Sequence, residues 1–207
     1  MPRISAATVA DHRANQHAAL LEAAREILAA EGVHALTPAA VGARIGLARS
    51  SVYRYFASTA DILAQLVEDA FPRWSARLRA AIAPAADGSL PGRIRAYGRA
   101  ALDFVGSPDY ALIPALQAIG LPGECRVRVD ELHGELIAPL ADALREAGAD
   151  HPALRAELAW GVLRAGARRL MPDAAAQDPE AQDPATVTAD ADEIIEVTLD
   201  VLTRALR

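Results

Sequence analysis

Hydrophobic residues recur at spacings of three and four along most of the 207-residue chain, which is the period of amphipathic helices. The pattern predicts a first helix from about Val9 to Glu31 and a longer one from Thr59 towards Ile82, kinked or locally broken at Pro72. No long alternating run of β-branched residues is present, so the fold is expected to be all-α. Further helices are predicted at about 90–106, 109–119, 123–148, 151–171 and 190–206.

Residues 172–188 depart from this pattern. The segment repeats A-Q-D-P, is poor in hydrophobic residues and carries acidic charge. Such a composition buries too little apolar surface to offset the entropy lost on ordering. We therefore predict a mobile connection here.

Residues 37–61 are the most informative stretch, because they predict two short helices joined by a tight turn. Thr37 followed by Pro38 is typical of a helix start, with a hydroxyl N-cap and a proline at the first helical position. Gly46 falls where the chain must turn, and glycine adopts positive φ at little steric cost. Ser58 with Asp61 predicts a capping box at the start of the next helix.

The second of the two short helices is expected to begin near Ala48 or Arg49 and to turn Val52 and Phe56 inward. Arginine can donate to guanine edges or phosphates, and Ser and Tyr hydroxyls suit phosphates. A helix-turn-helix presents one helix to the DNA major groove in this way, so double-stranded DNA is the expected partner, although a generic helical hairpin with a polar face is an alternative. The predicted DNA-binding residues are Thr37, Arg49, Ser50, Ser51, Tyr53, Arg54, Tyr55 and Thr59.

Over about residues 13–67 the chain resembles the TetR family of one-component repressors. The residues that carry the resemblance are Ala23, Ala24, Ile27, Leu28 and Gly32, then Leu36 and Thr37, then G-L-A-R-S-S-V-Y-R-Y-F from Gly46 to Phe56, then Ile62 and Leu63. The resemblance implies a homodimer on a palindromic operator, released by a small-molecule ligand. It also implies a three-helix DNA-binding domain at 1–58 and a larger helical ligand-binding and dimerisation domain at 59–207.

Two positions depart from the family pattern. Thr59 stands where the family usually has a lysine that meets a phosphate, and Ala48 stands where Ser or Thr often caps the recognition helix. The hydroxyl of Thr59 can donate to a phosphate, but one positive charge is missing. A weaker and less salt-sensitive DNA contact is expected.

The overall charge of −6 argues against nucleic acid, but the charge is unevenly distributed. Residues 1–60 hold six arginines against four acidic residues, a net +2, which leaves −8 for the remainder.

Cys125 is the lone cysteine, no apolar run is long enough for a membrane span, and no signal peptide is recognised, so a cytoplasmic protein is expected.

The predicted effector site consists of aromatic, apolar and polar residues of the C-terminal part, any of which could instead belong to the core. These candidates are Trp74, Tyr97, Phe104, Tyr110, Leu116, His133, Trp160 and Arg164. His12 and His17 are five residues apart and so not on one helical face, and no metal site or cofactor is predicted. No nucleophile-plus-base motif or glycine-rich phosphate loop is present, so no enzymatic activity is expected.

The last segment carries an apolar stripe, and small residues upstream allow another helix to approach closely. The family resemblance implies that these helices pair with their copies in a second subunit; the alternative is that both stripes form the core of one chain. The predicted interface residues are Gly161, Ala165, Ile195, Leu199, Leu202 and Leu206.

The sequence thus favours a homodimeric, ligand-released transcriptional regulator, most simply a repressor. Two other interpretations stay open. One is a DNA-binding regulator that needs no ligand, and the other is a helical carrier or enzyme that uses the scaffold without binding DNA.

Overall fold

The computed structural model describes residues 9–83, 88–119, 123–170 and 190–206, and these residues form helices and connections without any strand. The all-α prediction is confirmed, while the predicted mobile connection at 172–188 lies outside the described residues. The helices are α1 (Val9–Glu31), α2 (Pro38–Arg44), α3 (Arg49–Val52), α4 (Thr59–Ile82), α5 (Leu90–Leu102), α6 (Leu112–Ile119), α7 (Gly123–Glu146), α8 (Pro152–Arg169) and α9 (Ala191–Ala205). In the part of the chain described, no helix combines the length and apolarity needed to cross a bilayer.

Two predicted helices are shorter than expected. The segments at about 90–106 and 109–119 both contain 3₁₀ turns, Asp103–Gly106 after α5 and Pro108–Ala111 before α6. In α6, Pro114 is the third residue. The first N–H groups of a helix have no intrahelical partner, so a proline is tolerated there but not further inside. The α-helix therefore starts just before Pro114.

The described residues group into two compact units. The first comprises the described part of Met1–Ala70 and of Pro108–Val127, and the second that of Phe71–Ser107 and of Arg128–Arg207. The predicted domain boundary at residues 58 and 59 stays a prediction. The core of the first unit is built from the inward faces of α1, α2 and α4, with Leu20, Ala24, Ile27, Leu28, Leu36, Val41, Ile62, Leu63 and Leu66 buried.

In the second unit, α9 packs closely on α5 and α8. Glycines at the crossings allow this approach: a Cβ built at Gly98 would lie 2.7 Å from side-chain carbons of Leu199 and Leu202. A Cβ at Gly166 would collide with the side chain of Thr198. The stripe on α9 therefore packs within the chain, and any added side chain at these glycines would push α9 away.

Pro139 lies inside α7 and has no N–H to offer the carbonyl group of Glu135, four residues earlier. The buried Ser75 donates its hydroxyl to this carbonyl oxygen at 3.3 Å. The next carbonyl, of Leu136, accepts a hydrogen bond of 2.9 Å from the phenol of Tyr97. Both hydroxyls thus hydrogen-bond to main-chain oxygens beside the proline.

Candidate nucleic-acid interface

The predicted helix-turn-helix geometry of residues 37–56 is present. Thr37 has extended backbone angles and its side-chain oxygen accepts from the N–H of Ala40 at 3.1 Å, which is an N-cap. Gly46 has φ +69°, and the N–H of Leu47 donates to the carbonyl of Gly42 at 2.8 Å to close the turn. Since the oxygen of the exposed Thr37 accepts at the cap, its hydroxyl hydrogen can still be donated to a phosphate.

The α3 helix is shorter than the sequence suggested. It ends at Val52, and the chain continues as turns through Tyr55, with the N–H of Phe56 donating to the carbonyl of Val52 at 3.0 Å. Both Val52 and Phe56 are fully buried, as predicted. A Cβ at Gly42 of α2 would overlap the side chain of Val52, so the glycine permits the close packing of α2 and α3.

Four polar side chains of this element are exposed: Arg49, Ser50, Tyr53 and Arg54. The guanidinium of Arg49 lies 5.6 Å from the ring centroid of Tyr53, and its Nη2 is 3.4 Å from the phenol oxygen. The two residues are one helical turn apart, so the ring supports the guanidinium on the exposed face. This arrangement offers an arginine and hydroxyls together to one ligand surface.

Ser51 and Tyr55 are half-buried. The phenol of Tyr55 donates to Oε1 of Gln16 at 2.9 Å, and its ring stacks on His17 with centroids 6.1 Å apart. The guanidinium carbon of Arg13 lies 6.0 Å from the same ring. Tyr55 therefore attaches the end of the recognition element to α1.

The start of α4 is capped as the sequence predicts, with one difference. The N–H of Asp61 donates to Oγ of Ser58 at 3.1 Å, but the Asp61 carboxylate accepts from the N–H of Ala57 at 2.9 Å rather than from that of Ser58. Thr59 is half-buried, and its hydroxyl donates to the carbonyl oxygen of Leu36 at 2.7 Å. That hydroxyl hydrogen is used inside the protein.

Sequence reasoning missed a polar cluster behind the recognition element. It consists of Gln16 and His17 of α1 and Gln65 of α4, all half-buried in the first unit. Apart from the bond between Gln65 and Asp61, their hydrogen-bond partners lie 10 to 48 residues away along the chain. No local pattern marks such pairs, so spacing could not have found them.

The predicted effector residues are divided between the two units. Tyr110 and Leu116 belong to the first unit, and the other six candidates belong to the second. Tyr97 is fully buried in the core, where burial raises the pKa of its phenol well above the ordinary value. Arg164 is exposed on α8. The structure thus makes Tyr97 a core residue, because no part of its side chain reaches the surface.

Three of the remaining candidates make ring contacts within the second unit. Trp74 meets Phe104 edge to face with centroids 4.6 Å apart, and His133 meets Phe71 edge to face at 5.2 Å. The Nδ1 atom of His133 lies 2.8 Å from the carbonyl oxygen of Val129 on its own helix. Another candidate, Trp160, has a buried indole nitrogen without a hydrogen-bond partner among the described residues.

The predicted interface residues separate into two groups. Gly161 and Ala165 are exposed on α8. Leu199, Leu202 and Leu206 are buried in the core of the second unit, and Ile195 packs against that core. The predicted stripe on α9 is therefore an intrachain packing face, because α5 and α8 already cover it.

A group of three or more His, Cys, Asp or Glu side chains suited to a metal ion does not occur in the described parts of the chain. The side chain of Cys125 falls outside the described set.

The family model described as bacterial regulatory proteins, tetR family, matches residues 20–66, which contain the helix-turn-helix. No curated protein sequence matches the chain.

Solved structures match nearly the full length. The regulatory protein SCO4313 is 26% identical, with 98% of each chain covered and a TM-score of 0.66. The fatty acid degradation regulator FadR from Bacillus halodurans is 17% identical, with 93% of this chain and 96% of that chain covered and a TM-score of 0.69. A TetR/AcrR family regulator from Thermobifida fusca is 20% identical, with 93% and 99% covered and a TM-score of 0.67.

The matched segment contains the buried face and the exposed polar face described above, and the fold of the described residues agrees with these regulators. These findings support the prediction of a regulator rather than an enzyme. Residues 20–66 therefore carry the N-terminal segment of the tetR family of bacterial regulatory proteins, a DNA-binding helix-turn-helix, and the fold of the described residues is similar to that of TetR-family transcriptional regulators.

Proposed function

We propose that the protein is a homodimeric repressor that binds a palindromic operator in the cytoplasm and releases it when a small molecule binds the second unit. The observation that carries the proposal is the exposed set Arg49, Ser50, Tyr53 and Arg54 beside a buried Val52 and Phe56. The buried pair fixes the element in the first unit, while the polar set faces solvent. This is the division of faces that a recognition element needs.

Within the exposed set, Arg49 is our candidate for base contact. Its guanidinium is supported by the ring of Tyr53, and a guanidinium can donate two parallel hydrogen bonds to a guanine. Ser50 of α3 and Thr37, the N-cap of α2, are exposed hydroxyl donors of the helix-turn-helix and suit phosphates. Arg54 adds a positive charge that can contact the phosphates of the DNA.

A dimer is supported by apolar side chains that are exposed on the described part of the second unit. Leu154 and Leu158 on α8 are 54% and 65% exposed, and Val197 and Val201 on α9 are 57% and 46% exposed. Each pair is spaced by four residues and so lies on one helical face, and α8 packs on α9. Exposed apolar faces of this kind mark association surfaces. We place Gly161 and Ala165 at this same interface.

Val197→Glu tests the dimer, with Val127→Glu as the control, since Val127 is 60% exposed on α7. Analytical ultracentrifugation should give a dimer for the wild type and the control, and a monomer for Val197→Glu. A Val197→Glu dimer as tight as the wild type would contradict this interface.

An effector site near Trp160 is supported by the unpaired indole N–H, because a buried donor without an acceptor costs about 1–3 kcal/mol. A ligand with a hydrogen-bond acceptor would remove this cost.

Coupling to DNA is supported by Arg25 of α1, which forms ion pairs with Asp69 of α4 and with Asp109. Asp109 comes from a segment that belongs to the first unit but is flanked in sequence by residues of the second.

The deciding experiment is a fluorescence-anisotropy titration onto the duplex that flanks the protein's own gene, beside a scrambled duplex, at two salt concentrations. The proposal requires that the wild-type protein binds the native duplex more tightly than the scrambled one, and that Arg49→Ala loses this preference. Equal, weak and salt-sensitive binding of both duplexes would reject that duplex as the operator and weigh against a sequence-specific regulator. Compounds that release the native duplex are then compared on wild type and Trp160→Phe, and equal potency on both would place the effector elsewhere.

A further inference from the structure

The recognition element depends on its surroundings for its orientation. The α3 helix has only four residues, and a single helical turn is not stable alone because nucleation is unfavourable. Its N-cap residue, Ala48, makes no side-chain hydrogen bond. The placement of Tyr53 and Arg54 therefore depends on contacts with the rest of the first unit, which include the buried Val52 and the contacts made just after the helix.

Gln65 of α4 makes the main-chain contact at this point. Its amide Nε2 donates to the carbonyl oxygen of Tyr55 at 3.1 Å and to Oδ1 of Asp61 at 3.0 Å. Its Oε1 lies 2.6 Å from Nε2 of His17. An amide has two hydrogens and one acceptor oxygen, so all are in use and His17 donates from Nε2. Reversing the amide would place its oxygen against two acceptors.

Tyr55 is held from a second side by α1. Its phenol donates to Gln16, and its ring stacks on His17 at an interplanar angle of 16°. Thus α1 holds the Tyr55 side chain and Gln65 holds its main chain. Tyr55 directly follows Arg54, so its position constrains the exposed side chains before it.

We propose that Gln65 is a positioning residue for DNA recognition, acting through the carbonyl of Tyr55 and not through a DNA contact of its own. This inference rests on the proposed function. Sequence-specific binding needs donors placed against particular base edges, while nonspecific binding follows charge alone. Loss of the Gln65 bonds should therefore reduce binding of the operator more than binding of a scrambled duplex.

The test compares Gln65→Met, which removes the hydrogen bonds without adding charge, with Gln65→Glu, which points a carboxylate oxygen at two acceptors. Gln117→Glu is the matched control, because Gln117 is exposed on α6 in the same unit. At a temperature where all are folded, we expect Gln65→Met to lower the ratio of operator to scrambled affinity about tenfold, roughly the effect of one or two lost hydrogen bonds. A wild-type ratio in Gln65→Met would overturn the proposal.

A double variant separates positioning from simple capping of α4. In Asp61→Asn with Gln65→Glu the donor and acceptor of the 61–65 bond are exchanged, so that bond can form again while the Tyr55 carbonyl stays without its donor. Thermal stability should recover relative to Gln65→Glu, and the affinity ratio should not. Recovery of both would overturn the proposal.

Hydrogen exchange measured by mass spectrometry gives an answer that does not need DNA. The backbone amides of residues 53–57 should exchange faster in Gln65→Met than in the wild type, and those of α1 should exchange at the wild-type rate. Wild-type protection of 53–57 would overturn the positioning role. The two proposals can also fail separately. If the wild type does not prefer the operator but residues 53–57 still exchange faster in Gln65→Met, the proposed function is rejected and the positioning role stays supported.

Discussion

The hydroxyl of Thr59 donates to the carbonyl oxygen of Leu36 across 23 residues of sequence, at 2.7 Å. The bond ties the first turn of α4 to the residue before Thr37, the N-cap of α2. It also uses the only hydroxyl hydrogen of Thr59, while phosphate oxygens can only accept. At the position where the family resemblance implies a phosphate-binding lysine, this protein instead has an internal hydrogen bond.

Thr59→Val should therefore lower stability and leave operator affinity unchanged. The lost hydrogen bond should cost about 0.5–1.5 kcal/mol in the free energy of unfolding, measured by urea denaturation. Thr37→Val is the comparison, since it removes both the N-cap and an exposed hydroxyl and should weaken DNA binding too. A loss of operator affinity in Thr59→Val at a temperature where it is fully folded would show that Thr59 contacts DNA.

Arg49→Ala should cost ~1–3 kcal/mol in operator binding and relax specificity if Arg49 donates to a base. The matched control is Arg164→Ala, which removes an exposed arginine from the second unit. Anisotropy titrations on single-base variants of the operator distinguish the outcomes. If affinity falls equally on every duplex, Arg49 contacts phosphate only.

Local signals in the sequence were sufficient for the helix-turn-helix. The N-cap at Thr37, the turn glycine Gly46 and the cap at Ser58 each act within four residues, so their pattern predicts their geometry. The bounds of α1 and α4 follow from the same kind of signal. The early end of α3 does not, because contacts of Tyr55 with α1 and α4 decide the path after Val52.

Periodicity showed which face of α9 is apolar but not what covers it. Leu199 and Leu202 meet α5 at Gly98, which is about 100 residues earlier, so the sequence alone could not distinguish intrachain packing from a dimer interface. The same holds for Tyr97, whose buried phenol donates to the carbonyl oxygen of Leu136 of α7. Long-range partners decide both cases.

Gly42→Ala should destabilise the first unit, because its Cβ would overlap the side chain of the buried Val52. Overpacking of this kind costs about 1–3 kcal/mol. Gly134→Ala is the control: Gly134 lies inside α7 with open space around its Cβ position and should gain ~0.5–1 kcal/mol from helix propensity. Thermal melts of the two variants should shift in opposite directions. A Gly42→Ala melt at or above the wild-type temperature would show that α2 and α3 can separate without cost.

Tyr97→Phe should change the response of stability to alkaline pH. Burial raises the pKa of the Tyr97 phenol above its ordinary value in the folded protein, so the unfolded chain loses this proton first. Stability from the protonated phenol is thus fully present below the unfolded pKa of about 10 and is lost as pH rises above it, by up to ~1.4 kcal/mol per pH unit.

At neutral pH the variant should be less stable by about 0.5–1.5 kcal/mol, because the hydrogen bond to Leu136 is gone. Above about pH 10 the wild type alone carries the ionisation cost, so the two stabilities should converge and then cross. Urea unfolding of both proteins from pH 7 to pH 11 measures this, with Tyr53→Phe as the control at an exposed phenol. A difference between wild type and Tyr97→Phe that stays constant across the range would mean that the phenol reaches water before it ionises.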